Sequence, residues 1–211
     1  MIRLFQGNIF QKSFRVNPIF TKQRKGSYNL PMILLVGASA SGKTEIAKYL
    51  ASHFGITKAI THTTRPMREG EKNGVDYFFV RKQEFLNMEM LDQFVETTFY
   101  NGNLYGCSKS QVADDKCVVV DPAGLDHFLA LGSSHIVAFY LEADEDIRRE
   151  RMLGRGDKPQ DVEKRIENDR LCFNDEVKEK ANVIIPILAY SVEELATSIY
   201  EKYQKILTNL N

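Results

Sequence analysis

One eight-residue segment does most to limit what this chain can become. Gly37-Ala38-Ser39-Ala40-Ser41-Gly42-Lys43-Thr44 matches GxxxxGK[ST] in full, directly after the apolar run MILLVG and directly before KTEIAKYLASHF. A strand before and a helix after are what this motif requires, because the turn must present successive backbone N–H groups at the positive end of a helix dipole. Gly37 and Gly42 permit the tight turn, Lys43 bridges the β and γ phosphates of a nucleotide, and Thr44 offers a hydroxyl to Mg²⁺. All eight residues are therefore expected to bind the phosphates of ATP.

The rest of the pattern agrees with such a core. Ile46, Leu50 and Phe54 recur at fourfold spacing in the helix after the loop, and CVVVD (117–121), HIVAFYLEA (135–143) and VIIPIL (183–188) read as further buried strands. Helices fill the gaps. Asp144 heads one, and Ser191 with Glu194 forms a capping box opening the last, apolar at Leu195, Ile199, Tyr203 and Ile206. Short apolar runs alternating with longer amphipathic ones predict an α/β fold, a three-layer P-loop core with a parallel sheet. Residues 57–108 differ: turn-rich aromatic segments such as DYFFV and FYNGNLYG suggest a small mixed or antiparallel insertion.

A chain of 211 residues, 43% apolar, suffices for one domain with small insertions. Twenty-eight basic residues balance twenty-eight acidic ones, so no whole-molecule field draws it to nucleic acid or an anionic membrane, and any anion site must be local. Cys107, Cys117 and Cys172 lack metal-ligand spacing, and no apolar run approaches the roughly 18 residues of a membrane span. A reduced, soluble, cytoplasmic protein is expected. Nothing in the pattern distinguishes monomer from homodimer. Residues 1–31 stand apart, with six basic residues and no acidic one. They read as a basic, disordered extension, as the product of a misassigned start upstream of Met32, or as an organellar presequence.

A triphosphate loop names a donor and not a reaction. Transfer to another phosphate needs no general base, because a monophosphate whose second ionisation lies near pH 6 is already a nucleophile. Catalysis then reduces to cations and positioning, so two further cationic clusters are expected. The first is in residues 61–79, where Arg65 and Arg68 lie beside Thr61, Thr63 and Thr64 and ahead of Tyr77. The second is IRRERMLGRG, residues 147–156, where Arg148, Arg151 and Arg155 fall on one helical stripe, with Arg165 beyond a short loop. Asp121, ending CVVVD, sits either at the same carboxyl edge as the loop or as the N-cap of a helix opening at Pro122.

At this point the segment TTRPMREGEKNGVDYFF closely resembles the signature TTRxxRxGExxGxDYxF of the guanylate kinases, and the resemblance extends from about Met32 to Leu207. It implies transfer from ATP to GMP with Mg²⁺, a GMP-binding insertion at about 57–108 and a helical lid at about 148–170. It further implies that Thr61, Arg65, Arg68, Tyr77 and Tyr105 hold the acceptor phosphate. Glu96, Cys107, Ser108 and Asp121 would serve the guanine side, with Asp121 also reaching Mg²⁺ through water beside Thr44. Lys43, Arg151, Arg155 and Arg165 would be catalytic. The chemistry of Glu96 supports its part independently, since one carboxylate accepts the adjacent N1–H and N2–H₂ donors of guanine, a pair adenine lacks. The chain departs from the family pattern at Ala38, Ala40, Cys107, Val119 and Pro186. Two alternatives follow: a kinase of the same fold with another phosphorylated acceptor, or a non-catalytic module binding phosphopeptides.

Overall fold

The computed structural model describes residues 32–67, 70–100, 102–113, 115–187 and 191–210. The expectations for residues 1–31 and for Arg68 lie outside these. In chain order the strands are β1 (Met32–Val36), β2 (Thr57–Lys58), β3 (His62–Thr63), β4 (Phe78–Phe79), β5 (Phe94–Tyr100), β6 (Asn103–Ser108), β7 (Lys116–Val119), β8 (Ile136–Ala143) and β9 (Val183–Ile187). The helices are α1 (Lys43–Phe54), α2 (Lys82–Met90), α3 (Pro122–Leu129), α4 (Glu145–Gly154), α5 (Pro159–Cys172), α6 (Asp175–Glu179) and α7 (Val192–Leu210).

Five strands form one parallel sheet in the order β2-β7-β1-β8-β9. The central strand β1 is wholly apolar and wholly buried, as a strand covered on both faces must be. Its pleat divides the core in two. Ile33 and Leu35 join Val137, Phe139 and Leu141 of β8 under α1 and α7, in one cluster with Ile46, Leu50, Leu195, Ile199 and Tyr203. Met32, Leu34 and Val36 join Ala138 and Tyr140 on the other face, where Leu125 and Phe128 of α3 cover them. The result is the expected three-layer α/β core. The capping box of α7 is present: Ser191 Oγ accepts from Glu194 N–H at 3.2 Å, and Glu194 Oε2 accepts from Ser191 N–H at 2.8 Å.

Two sequence expectations change. The strand at 183–187 is not buried on both faces: Ile184 and Pro186 point to solvent, while Ile185 and Ile187 enter the core and Val183 packs partly buried against it, as on a half-covered edge strand. A proline is tolerated there because an edge strand leaves one row of N–H groups without ladder partners. The insertion also begins later than residue 57. Thr57 and Lys58 pair with Lys116 and Cys117 as the opposite edge of the main sheet, and the second sheet begins at His62.

That second sheet runs β4-β3-β6-β5, with β3 and β4 parallel and the other pairs antiparallel. Phe85 of α2 stacks on Phe94 at 4.5 Å between ring centroids, closing its apolar side. Gly106 is required by this packing, since a Cβ there would stand 3.0 Å from both rings. Helices α4 and α5 pack through Met152, Val162 and Ile166. No helix among the described residues is long and apolar enough to cross a membrane.

Candidate active site

The phosphate loop leaves β1 and enters α1 as the sequence predicts. Gly37 has φ +147 and a Cβ at this position would lie 2.6 Å from Leu141 O, so only glycine fits against β8. Gly42 has φ +100, and Ala40, at φ +60, holds the same left-handed region despite its side chain. Lys43 folds over the turn, its Nζ donating to Gly37 O at 2.5 Å, Ala38 O at 2.7 Å and Ser41 Oγ at 3.2 Å. Burial lowers its pKa to about 8, with Asp169 opposing and Arg148 adding to the shift. Loop and lysine together form a compact turn at the N-terminus of α1, with Thr44 exposed on the first turn of that helix.

The turn after β3 shows why its motif contains the residues it does. Thr63 Oγ1 accepts from Arg65 N–H at 3.1 Å, and Thr64 Oγ1 accepts from Leu104 N–H at 2.9 Å, fixing the chain to β6. Glu71 takes Arg65 in a two-pronged bond, Nη2 to Oε1 at 2.7 Å and Nη1 to Oε2 at 2.9 Å. Gly74 turns with φ +76, Asp76 Oδ2 accepts from Lys72 N–H at 2.8 Å, and Asn73 Oδ1 accepts from Phe79 N–H at 2.8 Å. The Arg65 guanidinium carbon stands 5.4 Å from the Tyr77 ring centroid and 5.5 Å from that of Phe79. Its pKa is raised by Glu71 above all, with Tyr105 contributing. The structure thus brings Arg65, Tyr77 and Tyr105 together, the two tyrosine rings 6.1 Å apart. Thr61 is half-buried and accepts from Phe78 N–H, next to Tyr77, at 2.9 Å through its carbonyl. Lys58, unassigned in the sequence reading, reaches the same place, its ammonium 5.4 Å from the Tyr77 ring.

Further along β5 and β6 lies a carboxylate corner. Glu96 Oε1 accepts from Cys107 N–H at 3.0 Å. Desolvation first, and then the charge of Asp121, push the Glu96 carboxyl up to about 7. Asp121 is the N-cap of α3, accepting from Gly124 N–H at 2.8 Å, and also faces Glu96 closely enough to shift it. Cys107 departs from its sequence assignment. Its side chain is fully buried in the apolar cluster under α3, and its Sγ donates to Ser108 O at 3.9 Å, so the thiol presents no surface to a base. Burial, then Glu96, raise its pKa well beyond the ordinary thiol range. Ser108 is buried and shares a hydrogen bond of 3.0 Å with Ser110.

The arginines of α4 and α5 divide. Arg151 is exposed and its Nη1 donates to Ala40 O at 3.1 Å, touching the phosphate loop. Arg155 and Arg165, also exposed, converge on one oxygen of Asp157, Arg155 Nη2 at 2.6 Å and Arg165 Nη1 at 3.1 Å. Arg148 does not belong with them. It is buried and paired with Asp169 at 2.8 Å. The stripe of spacing three and seven selects a side of the helix without saying which way it faces, and Arg148 shares its inward side with Met152, four residues on. Asp169 went unassigned, although it continues the buried stripe of Val162 and Ile166 on α5.

Comparison with known proteins bears on this arrangement. The family model for guanylate kinase matches residues 29–185. The guanylate kinase of Neisseria gonorrhoeae is 33% identical over 155 residues, 70% of this chain and 74% of the relative. That of Neisseria meningitidis serogroup A is 32% identical over 180 residues, 82% of this chain and 86% of the relative. Among solved structures, guanylate kinase from Anaplasma phagocytophilum has the same fold, with a TM-score of 0.61 at 23% identity over 84% of this chain and 86% of that one.

Proposed function

The chain belongs to the guanylate kinase family, and from that premise we propose that it transfers the γ-phosphoryl group of ATP to GMP. One observation carries the choice of acceptor. Strand β6 brings Tyr105 to Arg65 and, two residues on, gives the Cys107 N–H that holds Glu96. A cation for a phosphate and a carboxylate for a base are therefore anchored to positions two residues apart on one strand, about 7 Å of backbone, which sets them side by side as a nucleoside monophosphate requires.

In this reading Arg65, Arg68, Tyr77 and Tyr105, with Thr61 beside them, orient the acceptor phosphate. Its oxygen needs no base, so these residues act by position and charge. Glu96 accepts the paired donors of guanine, with Asp121 next to it. Residues 37–44 cradle the donor phosphates, and Lys43 holds its charge toward the bond that breaks. Arg151, Arg155 and Arg165 meet the charge that develops during transfer, the two outer arginines exchanging Asp157 for substrate oxygens as the lid closes and water is excluded. The donor set fits Mg²⁺, which takes few protein oxygens and keeps the substrate's phosphates as ligands. Thr44 would supply the protein oxygen, and Asp121 would act through water. The ion would neutralise phosphate charge. We further place the protein in the cytoplasm, acting on nucleotides rather than nucleic acid or membrane; its three unpaired cysteines suit a reducing compartment.

The test is a panel of acceptors with Mg·ATP: GMP, dGMP, AMP, CMP, UMP and dTMP. GDP formation with AMP poorer by about 10⁴-fold is expected, the discrimination available to a site whose buried acceptor is left unpaired. Turnover of a non-guanine acceptor alone would remove the base assignment and keep the class of enzyme.

A further inference from the structure

Asp169 sits on α5 with its side chain 6% exposed, and its carboxylate reaches out of that helix to Ser39 and Arg148. Its Oδ2 accepts from Ser39 N–H at 2.8 Å and from Arg148 Nη1 at 2.8 Å, and its Oδ1 accepts from Ser39 Oγ at 3.2 Å. Ser39 is the third residue of the phosphate loop, 130 positions away in sequence. A buried carboxylate is costly unless it is paired and hydrogen-bonded, and a buried ion pair can often be replaced by apolar residues without loss of stability. After Val162 and Ile166, a leucine at 169 would continue the packed stripe at lower cost. The carboxylate is therefore best explained by what it holds.

We propose that Asp169 is a positioning residue for the donor site: with Arg148 balancing its charge, it anchors the amide and hydroxyl of Ser39 and fixes the shape of the phosphate loop before nucleotide binds. The anchor is reinforced from the same pair of helices. Arg151 donates to Ala40 O at 3.1 Å, and the Ala40 side chain packs on Met152, Val162 and Ile166. These contacts hold Ala40 at φ +60, a conformation a residue with a Cβ adopts reluctantly. Asp169 and Arg148 also act on Lys43 with opposite sign, so the pair adds almost no net charge beside the cradle.

The proposal rests on the reading of residues 37–44 as the ATP site, and its test separates the two. Asp169→Asn and the paired variant Arg148→Met/Asp169→Leu are made in the full chain. Dissociation constants for Mg·ATP are measured by calorimetry, KM for ATP and for GMP by steady-state kinetics, and Tm by differential scanning. In both variants the ATP dissociation constant and KM rise by about 10- to 100-fold, the range typical when groups that orient a binding shell are removed. KM for GMP stays unchanged, because Asp169 contacts Ser39 of the loop and Arg148 of α4, and neither belongs to the acceptor site. The paired variant keeps its Tm, so its ATP defect is not a folding defect. A paired variant that keeps its Tm and binds Mg·ATP as wild type does overturns the proposal, as does an equal rise in both KM values. Wild-type protein that binds Mg·ATP and makes no GDP refutes the GMP reading, while the ATP dissociation constants still decide the anchor.

Discussion

At position 107 the sulfur lies in the same buried cluster as Val95, Val118 and Leu125. A hydroxyl there would enter apolar surroundings, where an added polar atom costs about 1–3 kcal/mol unless it finds a partner. Cys107→Ser is therefore expected to lower Tm and leave KM for GMP unchanged, whatever the resemblance suggests about base contact. Thermal melts beside GMP titrations check this, and tighter GMP binding would return residue 107 to the base. The case also shows what a motif can and cannot say. TTRPMREGEKNGVDYFF identifies Arg65 and Tyr77 because its turn chemistry leaves few alternatives. YGCS, an alternating strand segment, does not reveal by itself which side chains enter the core.

Among the elements, those read correctly from sequence carry an unbroken apolar run or a full helical period. The strands β1, β7 and β8 show as apolar runs, the helices α1 and α7 repeat their apolar spacing, and the capping box marks the start of α7. Strands β2, β3 and β4, of two residues each, are too short to carry any period and escape such a reading. The lid helices fall between: their arginines are legible, but which of them faces inward depends on packing. Because Arg155 stands exposed at the C-cap of α4 and Arg65 is tied into the turn after β3, the two substitutions should have different kinetic signatures. Arg155→Ala is expected to lower kcat by about 10²-fold with KM for GMP little changed, since its charge matters as transfer proceeds. Arg65→Ala is expected to raise KM for GMP. Steady-state kinetics on both variants distinguish them, and a shared defect would dissolve the division between acceptor site and lid.

The whole molecule carries a cost at its site. Burial pushes Glu96 up to about 7 and Lys43 down to about 8, each toward its neutral form, though Lys43 still carries its charge at neutral pH. For Glu96 the folded state binds more protons than the unfolded one between about pH 4.5 and 7, so its contribution to stability falls as pH rises through that window. Above pH 7 the ionised carboxylate opposes folding. Glu96→Gln should then be more stable than wild type at pH 8 by about 2 kcal/mol, with the difference vanishing near pH 4.5 while GMP binding is lost. Denaturant melts at the two pH values measure it, and a pH-independent difference would place the effect elsewhere. For Lys43 the sign reverses: its neutral folded form gains on the unfolded chain as pH rises from 8 toward 10.5.

The edge strand β9 has one more consequence. Its outer rim is interrupted by Pro186, which has no amide hydrogen to offer to a visiting chain, while Ile184 beside it is 44% exposed. An apolar rim with an unbroken row of donors invites a second molecule to lengthen the sheet. Here the strand carries a proline as its fourth residue, one of the residue types by which an edge is blunted against such pairing, and it is also one of the positions that depart from the family pattern.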